Sequence, residues 1–347
     1  MKICLFILGF ILGLQPLHES GFRGAGKTIA VIDCGFYHAN NDALYDQSKI
    51  LSAHDMLDPT LQRGDMFESE SDLHGAVVLS TMLYESTEFT GTAPDAHYIL
   101  IRTEDVKEEY KGETENLIRG LEKADELGAD IITISLGYFT FNDGIGNYTY
   151  DSLDGHTRLS QAVTGMARKG RLVCVAAGNE GNKTWHKISV PADADSILTV
   201  GAVDNNGEAA GFTGWGPSAD GRVKPEVCAP GVNTTIVNPV TEEVSTGNGT
   251  SFATPEVAGM AACIWQAVPE LTAMELREMI IRSASLYPSH DDQRGYGIPN
   301  AEVALQLATA LIETRQDQTK ARKVVENGNI VIIKNGIRYT VTGQRLK

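Results

Sequence analysis

Short runs of apolar, often β-branched residues alternate along this chain with longer segments whose apolar positions recur every three or four residues. The runs at 28–33, 98–102, 131–135, 172–177 and 197–203 predict strands. The segments 74–84, 114–127, 159–169, 251–267 and 273–283 predict helices. Because the strand runs are apolar throughout instead of alternating, both of their faces must be covered. That pattern predicts an α/β chain of three layers, a mostly parallel central sheet with helices on both faces. In such sheets ligands bind beyond the carboxyl ends of the strands. Asp33 closes the first run, Ser135-Leu136-Gly137 closes the third, and Gly178-Asn179 closes the fourth. One edge of the sheet therefore gathers the residues with chemistry.

The two ends break the pattern. Residues 3–14 read ICLFILGFILGL behind Lys2, too short for a comfortable membrane span and shaped like the core of a secretory signal. We expect a leader over 1–20 and a secreted or cell-envelope location. Residues 313–347 hold eight basic and three acidic residues, so +5, and leave −21 on the rest of the chain. Asn335-Gly336 lies between two apolar runs and predicts a hairpin. The expected organisation is a leader at 1–20, a main domain at 21–312, and a linker with a small C-terminal β-hairpin appendage at 313–347. An isolated hairpin is marginal, so it is expected to dock.

Composition removes some functions. The net charge of −16 repels phosphate backbones, so no nucleic-acid partner is expected. The five cysteines (Cys4, Cys34, Cys174, Cys228 and Cys263) form no paired spacing; outside the leader they read as small buried thiols, and no metal site is assigned. GFRGAGKT at 21–28 fits a phosphate-binding loop in letters. Yet an apolar β-branched run follows it where a helix is required, and this argues against nucleotide binding.

The strongest chemical signal is GTSFATPEVAG at 249–259, a glycine turn that delivers Ser251 to the start of a helix. A serine there is either a helix cap or a nucleophile served by its own amide and the helix dipole. Pro255 reads as a first-turn proline. A nucleophile needs a base and an orienting acid. Asp33, at the end of an apolar strand, and His74, at the start of the apolar helix HGAVVLSTM, supply both types. Asn179, in AAGNEG, offers a side-chain donor.

These segments resemble the subtilisin-like serine proteases, the subtilase family. AVIDCGF resembles the aspartate motif, HGAVVLSTM the histidine motif, AAGNEG the oxyanion segment, and GTSFATPEVAG the serine motif, in the family's order. APDAHYILIRT and FTGWGPSADGRVKPEVCAPG extend the likeness, which covers about residues 24–310. The resemblance implies an exported serine endopeptidase with catalytic Asp33, His74 and Ser251, and Asn179 in the oxyanion hole. It further implies Ser135, Leu136 and Gly137 as backbone for an extended substrate, and Ala177 and Gly178 as walls of the P1 pocket. Partners would be protein or peptide substrates, with no cofactor required.

Structural calcium is common in that family; here no ligand set is assigned, and the acidic stretches 55–58 and 151–154 read as solvated. Departures from the family pattern are Cys34 after the aspartate, Ala76, Val77, Leu79 and Ser80 in the histidine motif, and Phe252 and Glu256 in the serine motif. Secreted subtilases usually carry a folding pro-domain, and here Gly21 follows the leader directly; maturation without one, a maturation helper in trans and a truncated gene all stay open. The alternative reading is a catalytically inert subtilase-fold binding or scaffold protein. Glu180 and Glu243 suggest a preference for basic residues near P1.

Overall fold

A computed structural model describes residues 11–57, 65–107, 109–319, 321–334 and 337–346. Among these, seven strands form one parallel sheet: β1 (Thr28–Asp33), β2 (Ile50–Asp55), β3 (His97–Arg102), β4 (Ile131–Ile134), β5 (Leu172–Ala176), β6 (Leu198–Val203) and β7 (Val227–Pro230). Their order is β2-β3-β1-β4-β5-β6-β7. An antiparallel hairpin, β8 (Thr234–Asn238) and β9 (Glu243–Gly247), stands apart from the sheet.

The helices are α1 (Gln15–Glu19), α2 (His74–Leu83), α3 (Glu113–Glu126), α4 (Arg158–Arg168), α5 (Thr250–Ala267), α6 (Ala273–Arg282) and α7 (Ala301–Thr319). Side chains alternate across a strand, so each continuous apolar run feeds two cores. Ile29 and Val31 of β1 enter a core shared with α1, α2, α5, α6 and α7, whereas Ala30 and Ile32 enter a second core under α3 and α4. The expected three layers follow from that alternation.

Two edge strands, β2 and β7, were not legible as strands. β2 is only partly buried along its length, and β7 is four residues long and ends in Pro230, a residue suited to an edge.

Part of the segment expected as a leader packs against the fold. Leu12, Leu14 and Leu17, which the sequence places in the leader, are 0–2% exposed and belong to the first core. The Ala301 amide donates to the Leu12 carbonyl at 2.7 Å. Gln266 of α5 accepts the amides of Gly24 and Ala25 at 2.8 and 3.0 Å, and donates to the Gly21 carbonyl at 3.1 Å. Two amides of the loop that mimics a phosphate cradle are thus already bonded, and Lys27 lies 4.5 Å over the Trp265 ring. The first part of the leader, residues 1–10, lies outside the described residues.

The C-terminal boundary also shifts. The expected linker is helical as far as Thr319, and the appendage has three antiparallel strands: β10 (Arg322–Glu326), β11 (Asn329–Lys334) and β12 (Ile337–Thr340). The extra strand comes from Asn327-Gly328, both with positive φ, at 50° and 78°, a second Asn-Gly hairpin turn. The predicted Asn335-Gly336 turn lies outside the described residues, between paired Lys334 and Ile337. Val325, Ile330 and Val341 of this appendage are exposed, whereas Val331 is buried. No helix among the described residues is long and apolar enough to cross a membrane.

Candidate active site

Asp33 is the last residue of β1 and fully buried. A carboxylate there needs donors, and it has two on one oxygen. The Cys34 amide donates to Oδ1 at 2.8 Å, and His74 Nδ1 sits 2.7 Å from the same atom. His74 opens α2, which comes close to β1 because Gly75 lacks a side chain: a Cβ there would stand 2.4 Å from the Gly35 carbonyl and 2.8 Å from Asp33 Cβ.

The segment entering α2 is braced from below. Arg102, buried at the end of β3, bonds Asp72 at 2.9 Å and also Asp55 of β2. Burial pulls the His74 pKa down, but the charge of Asp33 and the hydrogen bond to it outweigh that, and the net shift is upward from 6.5. Ser80, one of the departures from the motif, accepts the Val237 amide at 3.0 Å and ties α2 to β8.

Ser251 is the second residue of α5, and its role is not that of a cap. Gly249 holds the N-cap position and has no side chain to cap with, and the Ser251 hydroxyl donates to the Ser135 carbonyl at 3.3 Å. Pro255 stands in the second turn, not the first as expected, so it removes the amide that would serve the Ser251 carbonyl. The Ser135 hydroxyl replaces that donor at 2.9 Å. This reciprocal pair pins the start of α5 to the end of β4.

Asn179 follows β5. Its Oδ1 accepts both the amide and the hydroxyl of Thr250, at 2.9 and 3.0 Å. That fixes which side of the carboxamide is oxygen, and no acceptor for Nδ2 is found among the described residues. Asn179 therefore presents a free N–H beside Ser251, whose own amide, in a first helical turn, has no intrahelical acceptor.

These groups border one cleft of about 540 Å³, lined by Cys34, His74, Ser135, Leu136, Gly137, Gly178, Asn179 and Ser251. Gly178 adopts φ 99°, and a Cβ there would meet Ser189 Oγ at 2.6 Å, so a side chain is excluded twice over. Ala177, expected in the wall, is fully buried in the core under α3 and α4, and Ala176 lines the cleft in its place. One residue along, the Cβ points to the opposite face.

The sequence reading missed Glu104 and Glu113, which form an acidic wall of the same cleft. Burial pushes the Glu104 carboxyl well above its usual range, and the neighbouring Glu113 and Glu109 charges push the same way. Burial also raises Glu113 to about 7, although the amides of Asp105 and Tyr110 donate to it. Glu104 lies just past the carboxyl end of β3, so the rule that found Asp33 could have found it. Glu180 also lines the cleft but bonds Lys183 at 2.9 Å, whereas Glu243 lies on β9 and is not among the lining residues. Cys34 borders the cleft while remaining 7% exposed. Burial and the Asp33 charge raise its pKa strongly, so it stays a thiol.

A serine at a helix start, a histidine on a buried carboxylate and an aligned amide make the chemistry of acyl transfer available. The model of the subtilase family matches residues 24–299. The chain belongs to the subtilase family. Subtilisin DY of Bacillus licheniformis is 30% identical over 84% of this chain and 95% of its own length. The serine protease AprX of Bacillus subtilis is 30% identical over 80% of this chain and 66% of its own. Among solved structures, the protease MycP1 with its N-terminal propeptide removed superposes with a TM-score of 0.66 at 25% identity, covering 86% of this chain and 96% of that one. The MycP3 protease of a type VII secretion system gives 0.66 at 22% identity, over 88% and 89%. This subtilase is a subtilisin-like serine endopeptidase, and its substrates are proteins or peptides.

Proposed function

We propose that this subtilase works through Asp33, His74 and Ser251, with Asn179 as an oxyanion donor, and that it acts after export. The observation that carries the reading is the Asp33–His74 bond at 2.7 Å in the cleft that also holds Ser251 and the free Asn179 amide. His74 takes the proton of the Ser251 hydroxyl as its oxygen attacks a peptide carbonyl. Asp33 holds the imidazole so that Nε2 is the basic nitrogen, and stabilises the imidazolium that forms. The Ser251 amide and Asn179 Nδ2 stabilise the oxyanion. His74 then protonates the leaving amine, and water resolves the acyl-enzyme. In the resting cleft the Ser251 hydroxyl points to the Ser135 carbonyl; substrate backbone pairing along Ser135–Gly137 competes for that region and frees the hydroxyl for His74.

Export is supported by the apolar run that opens the chain behind Lys2. Labelling with a serine-directed fluorophosphonate tests the mechanism. The wild type is expected to label, whereas Ser251→Ala and His74→Ala do not. Asn179→Ala is expected to lose about 10²–10³ in peptide hydrolysis, the range for one oxyanion donor in subtilisin. Folded wild-type protein that never labels, with or without added cell extract, would leave the inert scaffold as the better reading.

A further inference from the structure

Cys34 is the one cysteine among the described residues that borders the cleft; Cys174, Cys228 and Cys263 are buried in the cores at 0% exposure. It adjoins Asp33 and faces His74. The Cys34 sulfur, a His74 ring nitrogen and an Asp33 carboxylate oxygen all lie within 4.8 Å of one another. Asp33 is saturated unevenly. Oδ1 takes both donors, whereas Oδ2 is buried and has no hydrogen-bond partner among the described residues. Three ligand types, a carboxylate oxygen, a thiol and an imidazole nitrogen, thus converge within reach of a single ion.

We propose that Asp33, Cys34 and His74 form a binding site for a thiophilic divalent metal ion of the zinc or cadmium class, and that its occupation switches the protease off. One sulfur, one nitrogen and one oxygen suit such ions, with the fourth position open to the cleft. Calcium and magnesium, which need many oxygen ligands, are excluded by the same donor set.

Binding is an exchange of one proton for one metal. The S–H bond of Cys34 breaks, the S–metal bond forms, and the proton leaves to solvent. The Nδ1 lone pair of neutral His74 is donated to the metal, and its N–H moves to Nε2. With its hydrogen gone, Nδ1 no longer donates to Asp33 Oδ1, and the 2.7 Å Asp33–His74 bond is lost. His74 Nε2 now carries a hydrogen and cannot accept the Ser251 proton. Inactivation follows from the tautomer and does not require the cleft to be blocked.

The inactivation arm rests on the mechanism proposed above, and the binding arm does not. Chelator-treated full-length protein is titrated with cadmium and followed by thiolate-to-metal charge-transfer absorption. The wild type and Ser251→Ala are expected to show one saturable band per chain, and Cys34→Ser none. His74→Ala, which removes one of the three ligands, is expected to keep the band with markedly weakened affinity. In parallel, zinc is expected to slow fluorophosphonate labelling of wild type by about tenfold or more and that of folded Cys34→Ser by less than about twofold, with calcium inert in both. A band that survives in Cys34→Ser, an affinity unchanged in His74→Ala, or equal zinc inhibition of wild type and Cys34→Ser would each overturn the proposal. Wild type that binds cadmium but never labels in metal-free buffer counts against the catalytic reading alone.

Discussion

His74 is where burial and charge oppose each other most directly. Its ring is pulled toward the neutral form by burial, yet the Asp33 charge and hydrogen bond win, so its pKa lies above 6.5. A base must be neutral to accept a proton. The acid limb of kcat/KM against pH is therefore expected above 6.5. Asp33→Asn removes the raising influence, so the limb is expected to move to lower pH, with the rate falling by about 10⁴. A limb that stays in place in that variant would remove Asp33 from the mechanism.

Glu256 poses a different problem. It is fully buried within α5, both carboxyl oxygens lack partners among the described residues, and burial raises its pKa well above 4.5. A carboxyl whose folded pKa is raised binds its proton more tightly when folded. Its contribution to stability is full below 4.5 and is lost as pH rises through the folded value. Glu256→Gln keeps the shape without the titration. It is expected to flatten the loss of Tm between pH 5 and pH 9 and to raise Tm at the alkaline end, as checked by thermal melts across that range.

At the scale of elements, the segment before β1 is the least expected structural part. Leu12, Leu14 and Leu17 are as buried as the sheet residues. Fully burying a leucine is worth roughly 1.5–3 kcal/mol, so three of them are comparable with the net stability of a whole domain. A chain beginning at Gly21 is expected to melt well below one beginning at Ile11, or to fail to fold, and melts of the two truncations decide it. Equal melting temperatures would show that the segment merely rests on the surface. The same packing gives the GFRGAGKT string a structural use, with Gln266 bonded to Gly21, Gly24 and Ala25. At the other end, the turn at Asn327-Gly328 was as legible as Asn335-Gly336, but the third strand, Arg322–Glu326, opens on two basic residues, so the charge masked it.

For the whole molecule, the sequence by itself determined the layering, the sheet edge that carries chemistry, and the position in the chain of Asp33, His74, Asn179 and Ser251. The reason is local: continuous β-branched runs can be buried only on both faces, and each chemical residue sits at the end of such a run or at a helix start. Tertiary structure alone decided what those residues do to one another. The two oxygens of Asp33 are served unequally because α2 approaches β1 over Gly75. The serine is free of capping because Asn179 and Ser135, distant in sequence, take the helix start in hand. The exchange of Ala177 for Ala176 in the cleft wall, the acidic wall of Glu104 and Glu113, and the burial of Leu12 and Leu14 depend on which surfaces meet. An apolar run does not say whether its partner is a bilayer or a core, and only the packed molecule supplies that partner.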